Sequence, residues 1–169
     1  GVKNILNREH ELHEIIWKKF SQIKNINLLA NNFPERLGVY SFYIEDLHFN
    51  LAVKLLNDRY GIQVRGGCSC AGTYGHVLLN VAKASSSKIT SRIDEGDLTL
   101  KPGWVRMSIH PTMTNEEVLF IMNAIEELSK RHKEWASDYS YNKKTNEFVY
   151  KEPSFSANNQ ARAESWFRV

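Results

Sequence analysis

The sequence predicts a small α/β sandwich in which helices pack on a short sheet. Two stretches, 4–24 and 114–128, carry apolar residues at three- and four-residue steps, which is the spacing of amphipathic helices. Two others, 37–44 and 104–109, are rich in aromatic and β-branched residues and lie between turn residues, as strands do. At 169 residues and 42% apolar composition, one domain can bury a core without needing disulfides or a metal ion.

The N-terminal part of the chain predicts two helices and two strands. The apolar stripe of the first helix consists of Leu12, Ile15, Ile16, Phe20 and Ile23. The apolar run 37–44 is the first predicted strand, since Pro34 precedes it and an acidic pair follows it. A second helix is marked by Leu47, Leu51 and Leu55. It should end at Gly61, which can adopt the left-handed conformation of a helix cap, before a short strand at 62–64.

The middle of the chain is less regular. Apolar residues between 76 and 91 permit a third helix, although the three serines at 85–87 weaken the pattern. The sequence Lys-Pro-Gly at 101–103 is typical of a turn. The alternating run 104–109 that follows predicts a strand, whose end is marked by Pro111.

The strongest helix signal lies near the C-terminal end. Thr114 and Glu117 have the spacing of a capping box, in which each side chain bonds the backbone of the other residue. The apolar stripe behind it contains Val118, Ile121, Met122, Ile125 and Leu128. From Asp138 onward the chain is aromatic and polar without a period, and only 148–150 suggests a strand.

Charge and cysteine content narrow the functional classes. The net charge of +3 is spread along the chain, which gives no basis for nucleic-acid binding. The sequence has no apolar stretch of membrane-spanning length and no secretory signal pattern, so we expect no membrane association. A disulfide between Cys68 and Cys70 would be strained, which favours free thiols in the reducing cytoplasm. The chain begins at Gly1 without an initiator Met, as a piece of a longer protein would, and a trimmed or tagged chain would look the same.

The segment 60–73 contains the residues best suited to chemistry. Its glycines allow the backbone to turn and to approach another molecule closely. They surround Cys68 and Cys70, and Arg65 can favour the thiolate form of a nearby cysteine, which is the nucleophilic form. The residues alone leave two interpretations: a reactive loop, or a glycine-rich connector with two small cysteines.

Two motifs in collinear order resemble the cysteine desulfurase branch of the class V aminotransferases. Gly61-Ile62 followed by Arg65-x-Gly67-x-x-Cys70-Ala71 resembles the active-site loop of that family. Gly103-Trp104-Val105-Arg106-Met107-Ser108 followed by Thr114-x-x-Glu117 resembles the strand and helix that carry its carboxylate-binding arginine. The opening helix and the first strand also follow the order of that family's C-terminal domain.

The resemblance has consequences for the fold. It implies that residues 1–136 form the C-terminal small domain of a fold-type-I pyridoxal phosphate enzyme, a two-layer sandwich with a mostly antiparallel sheet. Residues 137–169 would then be a C-terminal extension that packs on this domain or on a partner. The whole protein would be a homodimer.

The resemblance also implies roles for four residues. Cys70 would be the catalytic nucleophile: its thiolate would attack the sulfur of a substrate cysteine held on pyridoxal phosphate, leaving a persulfide and alanine. Arg106 would bind the carboxylate of the amino-acid substrate through two parallel hydrogen bonds, its alternative being a surface or interface ion pair. Arg65 would assist with the carboxylate or tune the thiol. Cys68 is either a second redox-active thiol or an inert neighbour.

The cofactor site itself is expected outside this chain. In the family, the lysine that forms the Schiff base lies in a Ser/Thr-x-His-Lys motif on the large domain, upstream of the reactive cysteine. The only His-Lys pair here, His132-Lys133, has different neighbours and follows Arg106, so we interpret it as a cationic helix end. We therefore expect pyridoxal phosphate on a missing large domain, no cofactor or metal site in this chain, and no turnover by this fragment alone.

Two alternatives remain open from the sequence. One is a transaminase or lyase of the same family in which Cys70 is not catalytic, because the run after Arg106 differs from that of most desulfurases. The other is a non-enzymatic interaction module that uses the Cys68/Cys70 loop as a thiol switch. The first would keep most of its activity after Cys70→Ser, whereas a desulfurase would lose sulfur release.

Overall fold

The computed structural model describes residues 1–68 and 72–152, apart from the side chains of residues 72, 73 and 84. The helices are α1 (Val2–Gln22), α2 (Phe49–Tyr60), α3 (Gly72–Leu78), α4 (Lys83–Asp94) and α5 (Asn115–Ala136). The strands are β1 (Ile26–Leu28), β2 (Val39–Ile44), β3 (Arg65–Gly67), β4 (Trp104–Ser108), β5 (Tyr139–Asn142) and β6 (Glu147–Tyr150). None of these helices combines the length and the apolar character needed to cross a bilayer.

The main sheet has four strands in the order β1-β2-β4-β3, and every neighbouring pair is antiparallel. Strands β5 and β6 form a separate antiparallel hairpin. The predicted mixed sandwich with a small antiparallel sheet is therefore confirmed. Strands β2 and β4 occupy the centre of the sheet, so residues on them are held by neighbours on both sides.

The core fills one face of this sheet. Strand β2 alternates, with Tyr40, Phe42 and Ile44 buried and the residues between them more exposed. Across from them, Val105 and Met107 of β4 are buried on the same side. Helices α1, α2 and α5 cover this face through their apolar stripes, which include Leu12, Ile16, Leu55, Leu56, Met122, Ile125 and Leu128. The Tyr40 hydroxyl is satisfied inside the core by His13 Nδ1 at 2.7 Å.

Local sequence signals produce the expected helix ends. In the capping box of α5, the Glu117 backbone N–H donates to Thr114 Oγ1 at 3.1 Å, and the Thr114 N–H donates to Glu117 Oε2 at 2.7 Å. Gly61 ends α2 with a φ of 68°, and its N–H donates to the Asn57 carbonyl. Both predictions are confirmed, because each depends on residues within one turn of the helix end.

The predicted strand at 62–64 was wrong in position. The strand next to β4 is Arg65–Gly67, and Ile62 and Val64 instead pack on the core from the loop before it. A β-carbon at Gly66 would lie 3.0 Å from both Asn50 Oδ1 and Val53 Cγ2, so the glycine allows α2 to pack closely against this edge. Pairing with β4 thus sets the strand, and local propensity does not.

The single helix predicted over 76–91 is interrupted at residues 79–82, giving α3 and α4. The serines at 85–87 lie inside α4. Ser86 Oγ lies 2.8 Å from His76 Nδ1, and this hydrogen bond ties α4 back to α3. The run of serines is therefore compatible with a helix, and Ser86 also makes a tertiary contact.

The C-terminal hairpin packs on α2. Strand β6 confirms the strand predicted at 148–150, whereas β5 had no sequence signal. The Tyr139 hydroxyl donates to Asp58 Oδ2 at 2.9 Å, and Phe148 contacts the His48 ring with centroids 5.3 Å apart. The division of the chain at residue 136 stays a prediction, and residues 153–169 lie outside the described part.

Candidate functional site

The two arginines singled out from the sequence lie side by side on the sheet. Arg106 is in the middle of β4, and its Cα partners are Ser41 on β2 and Arg65 on β3. Cross-strand partners point to the same face. Since Val105 and Met107 point into the core, these three residues face the opposite side, here called the outer face. We refer to Ser41, Arg106 and Arg65 as the polar row.

The two guanidinium groups of the polar row are uncompensated within the described structure. Arg65 is exposed and Arg106 is half-buried. Among the described residues, neither has a hydrogen-bond or ion-pair partner. Cross-strand Cα partners lie about 4.5–5.5 Å apart, and like charges at that spacing weaken a sheet. An arrangement of this kind favours an anion bound between the two side chains, and a carboxylate fits the forked guanidinium geometry.

Beside the polar row, the outer face is covered by α3. Trp104 is 4% exposed although it does not belong to the main core. A β-carbon at Gly75 would lie 3.3 Å from the Trp104 ring, so the glycine lets α3 lie directly on the indole. A cavity of about 190 Å³ remains next to this contact, with Ser41, Trp104, Tyr74 and Leu78 in its wall. The polar row therefore borders a small cavity with aromatic and aliphatic walls.

The wall of this cavity also contains Arg36, which has a structural role. The Arg36 guanidinium donates to the carbonyl oxygens of Leu29 at 3.2 Å, Phe33 at 2.7 Å and Ala30. It also lies over the Trp17 ring, 5.0 Å from the centroid. Burial lowers the pKa of Arg36 from its ordinary value. The N–H groups of Arg36 are thus occupied by the carbonyl oxygens of residues 29–33. Arg65 and Arg106 have no such bonds among the described residues.

The cysteine loop begins where β3 ends. Cys68 directly follows Gly67; its thiol is free and its side chain is half-buried. A β-carbon at Gly75 would lie 3.6 Å from the Cys68 Cβ, so this cysteine lies against α3. Cys70 lies outside the described residues. The structure thus brings together Arg65 and Arg106, with Cys68 one residue beyond the strand, and the proximity of Cys70 to Arg106 stays a prediction.

The His-Lys pair, His132-Lys133, lies near the C-terminal end of α5. Lys133 Nζ donates to Asp46 Oδ2 at 3.0 Å, and both side chains are more than 70% exposed. His132 is buried, with Nδ1 lying 3.2 Å from the carbonyl oxygens of Leu128 and Ser129. Lys133 thus lies exposed in the last turn of α5, as predicted for a cationic helix end, whereas His132 is buried and does not share that exposed position.

Two residues of the outer face were given no role by the sequence analysis. Ser41 lies in the strand predicted at 37–44, but only the β2–β4 register shows that it adjoins Arg106. Trp104 lies in the quoted strand motif, and it is buried together with its neighbour Val105. Two consecutive buried residues mean that both faces of the sheet are covered at that point. In the sequence, two large apolar residues in succession, Trp104 and Val105, were the signal that both faces of the sheet are covered here.

Comparisons with known proteins agree with this architecture. The sequence model of the family described as Aminotransferase class-V matches residues 1–120. Among solved structures, the apo cysteine desulfurase from Thermococcus onnurineus NA1 is 25% identical with a TM-score of 0.52, over 77% of this chain and 27% of that one. The cysteine desulfurase CsdA from Escherichia coli, in an S-sulfonic acid form, is 15% identical with a TM-score of 0.45, over 73% and 25%. No curated protein matches. The chain spans about a quarter of the length of these two desulfurases.

Proposed function

Because the chain belongs to the class-V aminotransferase family, whose members depend on pyridoxal phosphate, we propose that it is the C-terminal small domain of a cysteine desulfurase. The similarity to the desulfurase from Thermococcus onnurineus supports this choice within the family. In this proposal, the chain supplies the sulfur-accepting thiol and the residues that bind the substrate carboxylate. The rest of the enzyme supplies the cofactor.

One observation carries the proposal: two arginines that have no hydrogen-bond or ion-pair partner among the described residues are Cα partners on the outer face of the sheet. Their mutual repulsion costs stability, so a ligand that neutralises them offers a physical reason for the arrangement. The α-carboxylate of an amino acid has the charge and the two parallel oxygens that a guanidinium recognises. Arg106 lies on a central strand, which makes it the better positioned of the two to hold a substrate in a fixed orientation.

The proposed reaction transfers sulfur from the substrate cysteine to Cys70. The Cys70 thiolate attacks the substrate sulfur, a new S–S bond forms, and the C–S bond breaks. The electron pair of the broken bond stays with the carbon, which takes up a proton, and the product leaves as alanine. Pyridoxal phosphate, when bound, supplies the electron sink for this cleavage. Because this sequence contains no Ser/Thr-x-His-Lys motif, we place the cofactor on the large domain and expect this fragment to be inactive alone.

The full-length protein, including the large domain, tests the proposal. Cys70→Ser should abolish sulfide release from cysteine in the presence of a reductant, whereas the matched Cys68→Ser should retain most of it. Arg106→Gln should raise the KM for cysteine, since one charge-assisted pair contributes about 1.5–3 kcal/mol. A Cys70→Ser enzyme that still turns over amino acids at nearly the full rate would favour a transaminase. Sulfide or alanine produced by the 169-residue chain alone would contradict the division of roles.

The proposal also includes the oligomeric state and the cellular compartment of the enzyme. We expect a homodimer in the cytoplasm, where Cys68 and Cys70 stay reduced and available. Sedimentation of the full-length protein would measure the first expectation. Thiol titration under native conditions would measure the second.

A further inference from the structure

Ser41 is the uncharged member of the polar row. It lies on β2 as the Cα partner of Arg106, so the row extends across three neighbouring strands. Its side chain is half-buried, and its hydroxyl has no hydrogen-bond partner in the part of the chain that the structure describes. A hydroxyl in this position has lost part of its hydration without gaining a protein partner, so a ligand that accepts a hydrogen bond from it would stabilise the arrangement.

The backbone of Ser41 is held on both sides. Strand β2 pairs with β4 through this residue, and on the other side the Ser41 carbonyl accepts the Leu29 N–H at 2.8 Å. The residue also lines the cavity of about 190 Å³ beside Trp104. The hydroxyl is therefore carried by a firmly paired strand and borders open space, which suits a group that positions a ligand.

We infer that Ser41 is a further substrate-binding residue, whose hydroxyl donates a hydrogen bond to the same carboxylate that Arg106 binds. The inference rests on the proposed function, because it assigns a second donor to that carboxylate site. A carboxylate can accept about four hydrogen bonds, and one guanidinium supplies two parallel ones. The other lone pairs need further donors, and Ser41 adjoins Arg106 on the side away from Arg65.

The charge and the size of serine both suit this position. A hydroxyl can donate to a carboxylate without repelling Arg106, whereas a second cation on β2 would add to the repulsion already present between Arg65 and Arg106. The short side chain also leaves room over β2 for a carboxylate beside the longer side chain of Arg106. Since the carboxylate keeps its charge throughout the reaction, this hydrogen bond should strengthen substrate binding and have little effect on kcat.

Ligand binding to the full-length protein, including the large domain, tests the role of the hydroxyl. A Cys70→Ser background blocks the proposed sulfur transfer, so isothermal titration measures dissociation constants and not turnover. Ser41→Thr and Ser41→Val form a matched pair, because Thr and Val have nearly the same shape and differ in the hydroxyl. Ser41→Val should bind L-cysteine at least about tenfold more weakly than Ser41→Thr, since a hydrogen bond to a charged group is lost. Tyr43→Phe, which removes a hydroxyl from the same face of β2, should bind L-cysteine as the parent does.

Cysteamine, which is cysteine without its carboxylate, is the control ligand. Its affinity should be the same for Ser41→Thr and Ser41→Val, because the hydroxyl acts on the carboxylate. Equal affinities of the two variants for L-cysteine would overturn the inference. An equal loss of affinity for both ligands in Ser41→Val would overturn it as well, since the hydroxyl would then act elsewhere than on the carboxylate.

Two further measurements keep the result interpretable. If Ser41→Val has a lower Tm than Ser41→Thr, Ser41→Ala takes its place, because it removes the hydroxyl without adding volume to the strand. Failure of the proposed function has a different signature, namely sulfide release that persists in Cys70→Ser. The ratio of the two affinities for L-cysteine depends on the Ser41 hydroxyl alone, so the two failures are distinguishable.

Discussion

Replacing either arginine of the polar row should make the fold more stable. Arg65 and Arg106 are Cα partners without a counter-charge among the described residues, and a like-charged cross-strand pair costs about 0.2–1 kcal/mol. Because Arg65 is exposed, solvent screening places the value in the lower part of this range. For a protein of this size, 1 kcal/mol shifts the Tm by about 2–4 °C. Arg106→Gln should therefore raise the Tm by about 1–2 °C at low salt.

A double-mutant cycle measures this repulsion directly. The free energy of unfolding is determined by urea denaturation for the parent chain, Arg65→Gln, Arg106→Gln and the double variant. Each substitution should raise the free energy of unfolding less in the presence of the other than it does in the parent chain, because removing one arginine already relieves the repulsion. The coupling should vanish at about 1 M salt, where the Debye length is near 3 Å.

Arg106→Lys is the matched control for the cycle. It keeps the positive charge, so the coupling with Arg65 should persist. A coupling of zero at low salt would refute the reasoning, because it would mean that the two guanidiniums do not sense each other. Loss of stability on Arg106→Gln, retained in the double variant, would show that Arg106 holds a structural contact instead.

Two further predictions concern stability. In Gly103→Ala the new β-carbon would lie 2.6 Å from Phe49 Cε1, and since Phe49 is buried we expect a loss of about 1–3 kcal/mol in urea denaturation. Gly61→Ala meets no neighbouring atom and should cost only about 1 kcal/mol, from its φ of 68°. Burial lowers the pKa of His48 below its ordinary 6.5, so the unfolded chain takes up a proton that the folded chain resists, and stability should fall as the pH drops below 6.5. His48 Nδ1 accepts the Asn50 N–H at 3.1 Å. His48→Asn keeps a capping acceptor but removes the imidazole, so it should reduce the dependence of Tm on pH. If the slope of Tm against pH does not change, the pH dependence arises from other groups.

The parts of the fold that sequence predicted well are those decided by neighbouring residues. The capping box of Thr114 and Glu117 and the left-handed end at Gly61 each need only one turn of chain to form. The position of β3 depends instead on β4, some 40 residues away, and on the approach of α2 to Gly66. No local propensity encodes that approach, so the strand was predicted three residues too early.

The candidate site divides in the same way. The motifs drew attention to Arg65 and Arg106 one at a time, but their positions as Cα partners follow from strand register. Ser41 joins them only because β2 pairs with β4 on the other side. Its own residue type, a small polar group in an otherwise aromatic and aliphatic strand, is compatible with any exposed position. Register is a property of the assembled sheet, which is why a single sequence does not disclose it.

The two outermost strands of the sheet, β1 and β3, are each three residues long. Edge strands this short present too few free N–H and C=O groups for a second polypeptide to pair with them as an added β-strand. A partner that binds this protein must therefore be recognised by side chains and surface shape. The specificity for binding partners then depends on surface side chains, which can be substituted without disturbing the hydrogen bonds of the sheet.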